Sequence, residues 1–98
     1  KMALNHAVQT ANGAVSTSRS FIIFSKSTAL AATLADGTVT GEMKVMINQN
    51  SGLATVTPAN FAQGTSFSIA QYGATQIIWS GNDWYMIADT SDSYITIT

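Results

Sequence analysis

For acid–base or covalent chemistry the chain offers one histidine, five acids and eleven serines, and no cysteine. His6 has no carboxylate fixed beside it in the sequence and reads as a surface residue rather than a general base. A Ser-His-Asp set assembles in space, so spacing alone does not exclude one. A single histidine near the start, among so many serines, nevertheless selects no partner. Asp89 and Asp92 lie close together in Asp89-Thr90-Ser91-Asp92-Ser93, a stretch with enough oxygens to touch a calcium ion. It lacks the spacing and carboxylate count of a dedicated calcium loop, and solvation in a turn accounts for it. Gly52, Gly64, Gly73 and Gly81 are dispersed beside turns and form no phosphate cradle. The expectation is a protein that is not an enzyme, with no catalytic residues, no metal and no cofactor.

Aromatic residues are the other chemistry-bearing group. Trp79, Trp84 and Tyr85, with Tyr72 nearby, could form a platform that stacks on sugars, rimmed by neutral hydroxyls and amides. The competing reading is that Trp79 and Trp84 flank a hairpin and fill its core. Nucleic acid is excluded as a partner: four Lys/Arg against five Asp/Glu leave a net charge of −1, and each neutralised phosphate needs its own cation. No apolar run approaches the roughly 20 residues of a membrane span, the densest being Phe21-Ile22-Ile23-Phe24, so no membrane partner is expected.

The elements that must position these groups are strands. At 98 residues the chain is one domain, and no stretch keeps a helical period. Turn signals recur about every ten residues, the spacing of a sandwich or barrel. They include Asn12-Gly13, Asp36-Gly37, Asn48-Gln49-Asn50-Ser51-Gly52, Tyr72-Gly73 and Gly81-Asn82-Asp83. Between them, strands are expected at 14–19, 20–25, 28–34, 41–48, 53–57, 66–70, 75–80, 84–88 and 94–98. The unbroken Phe21-Ile22-Ile23-Phe24 run suggests a strand covered on both faces. In 41–48, Met43, Val45 and Ile47 share one side and Glu42, Lys44 and Met46 the other. Pro58 ends its strand by removing a donor, and Phe61 in the following loop plugs one end of the core. The fold class is therefore all-β: a single antiparallel sandwich or barrel-like domain of about 7–9 short strands over residues 13–98.

Residues 1–12 contain too few core-forming side chains to fold alone and are expected as a flexible or partner-ordered arm. Lys1 precedes Met2, which leaves a processed, truncated or cloning-derived start open. Met2-Ala3-Leu4 lacks the length and flanks of a signal peptide. Charged residues are only 9% of the chain, while 13 Thr and 11 Ser supply most of its polarity. A hydroxyl-rich surface is cheaper to desolvate than an ionic one. A core this small, without disulfide or metal, favours association with other copies.

From about Thr33 onward the chain resembles a β module of tailed-bacteriophage virion proteins, including capsid decoration (cement) and fibre-associated proteins. The resembling stretches are Thr33-Leu34-Ala35-Asp36-Gly37-Thr38 with Gly41-Glu42-Met43-Lys44, and Ala54-Thr55-Val56-Thr57-Pro58-Ala59-Asn60. They continue in Gly64-Thr65-Ser66-Phe67 and Ile77-Ile78-Trp79-Ser80-Gly81-Asn82-Asp83-Trp84-Tyr85-Met86-Ile87. The family often has Leu-Pro where this chain has Leu34-Ala35. The resemblance implies a structural protein on a virion, first of all a decoration protein that binds the outer shell and stabilises it. It also implies a homo-oligomer, commonly a trimer, partnered by the major capsid protein or another virion protein, and located on the capsid surface or on a tail or fibre. Leu4, Val8 and Phe61 are the candidate contacts for that partner. The alternative is a carbohydrate-binding or fibre-tip adhesion module that uses Trp79, Trp84 and Tyr85.

Overall fold

The computed structural model describes residues 3–89 and 94–98. Ten strands are found among them: β1 (His6–Gln9), β2 (Gly13–Ala14), β3 (Phe21–Phe24), β4 (Leu30–Leu34), β5 (Met43–Asn48), β6 (Ala54–Pro58), β7 (Phe67–Ile69), β8 (Ala74–Trp79), β9 (Trp84–Asp89) and β10 (Ile95–Ile97). They make two packed five-stranded sheets, ordered β1-β3-β5-β8-β9 and β10-β7-β6-β4-β2. The fold is all-β and a sandwich, and the sheets do not close into a barrel.

Half of the pairings depart from the antiparallel expectation. β1–β3, β3–β5, β2–β4 and β4–β6 are parallel; β5–β8, β8–β9, β6–β7 and β7–β10 are antiparallel. The cause is the path of the chain. Each of β1, β3 and β5 is followed by a strand of the opposite sheet, so its successor in the same sheet runs in the same direction. The first six strands thus stack as three coils, and β7 to β10 close one end antiparallel. A turn that arches between sheets has the same Gly/Asn composition as one that folds a hairpin, so the two are alike in sequence.

The core lies between the sheets and draws on alternate residues of each strand. Ile22, Phe24, Met46, Ile77, Trp79 and Trp84 come from the first sheet; Leu30, Ala32, Leu34, Val56, Phe67 and Ile69 come from the second. Two polar side chains are buried at opposite ends of β5. Lys44, only 2% exposed, sends its ammonium to the carbonyls of Ser16 (2.9 Å) and Arg19, which holds the 15–20 loop down. That loop was expected as a strand over 14–19, but only Gly13–Ala14 pairs. Asn48 donates from Nδ2 to the carbonyls of Gly52 and Ile69, both at 2.8 Å, and accepts from the Asn50 amide. It ties the first sheet to the 48–52 turn and to β7 of the second.

Part of the segment expected as an arm (1–12, ahead of a β domain over 13–98) is strand. His6–Gln9 is the edge strand of the first sheet, and Ala7 packs on the core. Pairing substitutes for the missing local core: the Asn5 carbonyl accepts from the amides of Ser20 and Phe21, and the Gln9 carbonyl from that of Ser25.

Candidate interaction surface

Cross-strand register fixes which side chains share the outer face of the first sheet. One row runs His6, Phe21, Val45, Gln76, Ala88 across all five strands. The row above is Val8, Ile23, Ile47, Ala74; the row below is Met43, Ile78, Tyr85. Leu4 extends the lower row past the edge, two residues before His6. The paired positions hold no Asp, Glu, Lys or Arg; the extension that reaches Leu4 also brings Arg19 to the margin beside it, and Asp89 borders the face at β9. Val8 is 51% exposed, Leu4 53%, Tyr85 43% and Met43 39%. Phe21, Ile23, Val45, Ile47 and Ile78 are half-buried by one another.

The relief of the face is uneven. Ala3, Leu4, His6, Phe21, Ile23 and Val45 line an open recess of about 510 Å³ over the β1–β3–β5 half. A shallower hollow of about 260 Å³ lies over β8 and β9, where Ala74 and Ala88 leave space beside Val45 and Gln76 and Asp89 stands at the border. A bulge between Gln76 and Ile77 in the β8–β9 pairing accompanies Ile87, 52% exposed, at the rim.

The outer face of the second sheet has the opposite chemistry. Ala31, Thr55, Ser68 and Thr96 form one row, and Ala14, Thr33 and Thr57 the next. The Thr55 and Ser68 hydroxyls hydrogen-bond to each other at 3.0 Å. Hydroxyls such as these are satisfied by neighbours or by water, and this face needs no cover.

Of the residues expected at a contact, Leu4 and Val8 are exposed on the apolar face and Phe61 is not. Phe61 is buried, tilted against Phe67 with ring centroids 5.4 Å apart, and bridged to Trp84. It fills the end of the core and offers nothing to a partner. The aromatic platform is also overturned. Trp84 is fully buried and donates from Nε1 to the Ala35 carbonyl at 3.0 Å; Trp79 is 5% exposed and packs on Trp84 with centroids 5.4 Å apart. Only Tyr85 of the three reaches solvent. The physical reason is pairing: Trp79 and Trp84 are cross-strand partners that point into the sandwich, where two indoles bury more apolar area than any other pair in the chain could.

His6 lies at the mouth of the larger recess among apolar side chains. Among the described residues, no three of His, Cys, Asp and Glu gather where they could hold a metal ion. Thr90, Ser91, Asp92 and Ser93 of the calcium candidate lie outside the described residues, and Asp89 ends β9 exposed. Among the described residues the pKa of Lys44 is shifted: burial lowers it, and the nearby Glu42 carboxylate raises it in partial opposition.

Phe21, Ile23, Val45, Ile47 and Ile78 were not among the expected contact residues. One signal did point to the first two, since the Phe21–Phe24 run reads as a strand covered on both faces. Ile22 and Phe24 face the core, while among the described residues no segment covers the other side. No model of a known protein family matches the chain, and no curated protein is similar enough to count as a relative.

Proposed function

We propose that the protein is a virion structural protein of a tailed bacteriophage, a decoration (cement) protein that binds the outer shell, partners the major capsid protein and stabilises the particle by contact alone. The observation that carries this reading is the apolar outer face of the first sheet, whose paired positions hold no Asp, Glu, Lys or Arg, with Leu4 and Val8 at its margin. A surface of this kind is built to be covered, because soluble monomers seldom expose contiguous apolar patches beyond a few hundred Å². The hydroxyl face of the second sheet adds support, since it can meet a neighbour without stranding ions. The motif resemblance points the same way and supplies the virion setting. Copies held at several points of a lattice gain avidity over any single contact.

A mass-spectrometric inventory of purified particles tests the proposal. A copy number that matches the capsid lattice supports a shell position. A few copies per particle would move the protein to tail or fibre, and its absence from particles would refute the reading.

A further inference from the structure

We propose that the apolar outer face of the first sheet is where a second copy of this chain docks, sheet against sheet, about a two-fold axis parallel to the strands. The inference rests on the assembly reading above and names the partner of that surface.

Three features select another copy as the occupant. The first is charge. The paired positions of the three rows hold no Asp, Glu, Lys or Arg, and Asp89 stands at the border of the hollow at Ala74 and Ala88, so the apolar centres of two copies meet without burying an unpaired ion. The second is area. Five strands about 4.8 Å apart and three side-chain rows give a flat footprint on the order of 400 Å². With side-chain relief, two such faces remove on the order of 1,200 Å² from water, the lower bound for a specific interface.

The third feature is shape, and it fixes the axis. A two-fold axis along the strands through β5 lays β3 of one copy over β8 of the other, and β1 over β9. Bulky Ile23 then faces the hollow at Ala74, Phe21 faces Gln76, and His6 faces Ala88. Val45 meets its own counterpart on the axis. The large side chains of one half enter the shallow ground of the other, as two facing sheets pack when their strands lie nearly aligned. An axis across the strands through the same row would instead stack β3 on β3 and β9 on β9, setting Phe21 against Phe21 and Ala88 against Ala88. In the lower row, Leu4 of one copy lies opposite Tyr85 of its partner, twice per pair. An isologous pair closes on itself through one self-complementary face, whereas the trimer that the resemblance implies would need heterologous contacts.

The Leu4–Tyr85 contact gives a direct test. Within one chain these residues sit four strands apart, about 19 Å, while facing sheets are about 10 Å apart. A short bis-maleimide bridges the second distance and not the first. Because the chain has no cysteine, L4C mixed with Y85C should yield a cross-linked pair, and neither variant alone should. Light scattering of the unaltered protein should give twice the 10.3 kDa chain mass. Ile23→Lys should return a monomer whose circular dichroism and melting remain those of a folded sandwich. A monomeric unaltered protein, a trimer, or a dimer that fails to cross-link in the mixture would overturn the proposal. If Ile23→Lys does not fold, the cross-link and the mass still decide. A protein absent from virions could pair in this way, and an abundant virion protein could prove monomeric, so the two readings fail separately.

Discussion

Asn48 is the sharpest place to test how the sandwich is held together, and Asn48→Asp is the informative change. It preserves shape and removes both N–H donors, leaving the carbonyls of Gly52 and Ile69 each facing a carboxyl oxygen across the present 2.8 Å contacts. The site is 1% exposed, so water does not step in. Each buried group left without a partner costs about 1–3 kcal/mol, which puts the loss at neutral pH at about 3 kcal/mol or more. That is a large share of the 5–15 kcal/mol typical of a domain, and corresponds to a drop in Tm of roughly 12–24 °C for a chain of this size. The loss should depend on pH with a definite sign. Two carbonyl dipoles and burial both disfavour the charged form, so the new carboxyl has a folded pKa above its unfolded value of about 3.9. Protonated, it regains one donor, and the variant is least impaired below the unfolded pKa. Its deficit grows as pH rises through the folded pKa. Urea melts of both proteins at pH 4 and pH 7 measure this. A deficit under about 1 kcal/mol at pH 7, or one that does not shrink at pH 4, would show that Asn48 is not the tie described.

Three further outcomes are expected. Lys44 is protonated more readily in the unfolded chain than in the fold, because burial lowers its folded pKa. Unaltered protein should therefore gain stability relative to Lys44→Met as pH rises from neutral toward 10.5, and a flat or falling difference in paired melts contradicts the burial argument. Gly52→Ala would place a Cβ 1.8 Å from the Thr28 carbonyl oxygen, so the variant should be insoluble or lose more than about 3 kcal/mol, and a near-normal Tm would refute the close approach. Tyr72 holds φ at 72° while 73% exposed, so Tyr72→Gly should hold or raise stability by up to about 1 kcal/mol, and a clear loss in Tm would mean that its ring contributes packing.

Strand positions were legible because turn chemistry is local. Asn48 to Gly52, Asp36-Gly37 and Gly81-Asn82-Asp83 all mark real reversals, and the alternation Leu30, Ala32, Leu34 correctly gives a buried side. Tyr72-Gly73 marks a turn too, with the roles divided unexpectedly. The left-handed residue is Tyr72, and Gly73 is required because a Cβ there would crowd Ile69, Ala70 and Tyr94. Strand direction was not legible, since an arch between sheets and a hairpin use the same residues and pairing partners are distant in sequence. The facing of β5 was also hidden. The apolar trio Met43, Val45 and Ile47 points out, and Lys44, Met46 and Asn48 point in. The inversion is stable only because distant backbone satisfies the polar pair: carbonyls of the 15–20 loop for Lys44, and Gly52 and Ile69 for Asn48. The Trp79, Trp84 and Tyr85 group misled because adjacency in a hairpin places two indoles on one face and the tyrosine on the other.

The two outer faces act as controls for each other. Both are the solvent side of a five-stranded sheet in one small chain, and both are made of residues that suit extended backbone. At such positions the second sheet uses Thr33, Thr55, Thr57, Ser68 and Thr96, which shows that hydroxyl side chains are compatible with this architecture. Threonine matches valine and isoleucine in its stiffness at χ1 and its preference for strands, so backbone preference does not explain Val8, Ile23, Val45, Ile47 and Ile78 across the first sheet. Removal from water does. The core already claims the inner face of the same strands, and among the described residues no segment of the chain crosses the outer one. The cover we propose for that face comes from outside the described residues, and the uncharged centre of the face suits a cover that is itself uncharged. Another copy brings such a surface by construction, with its hollows at Ala74 and Ala88 set against its own bulk at Ile23 and His6.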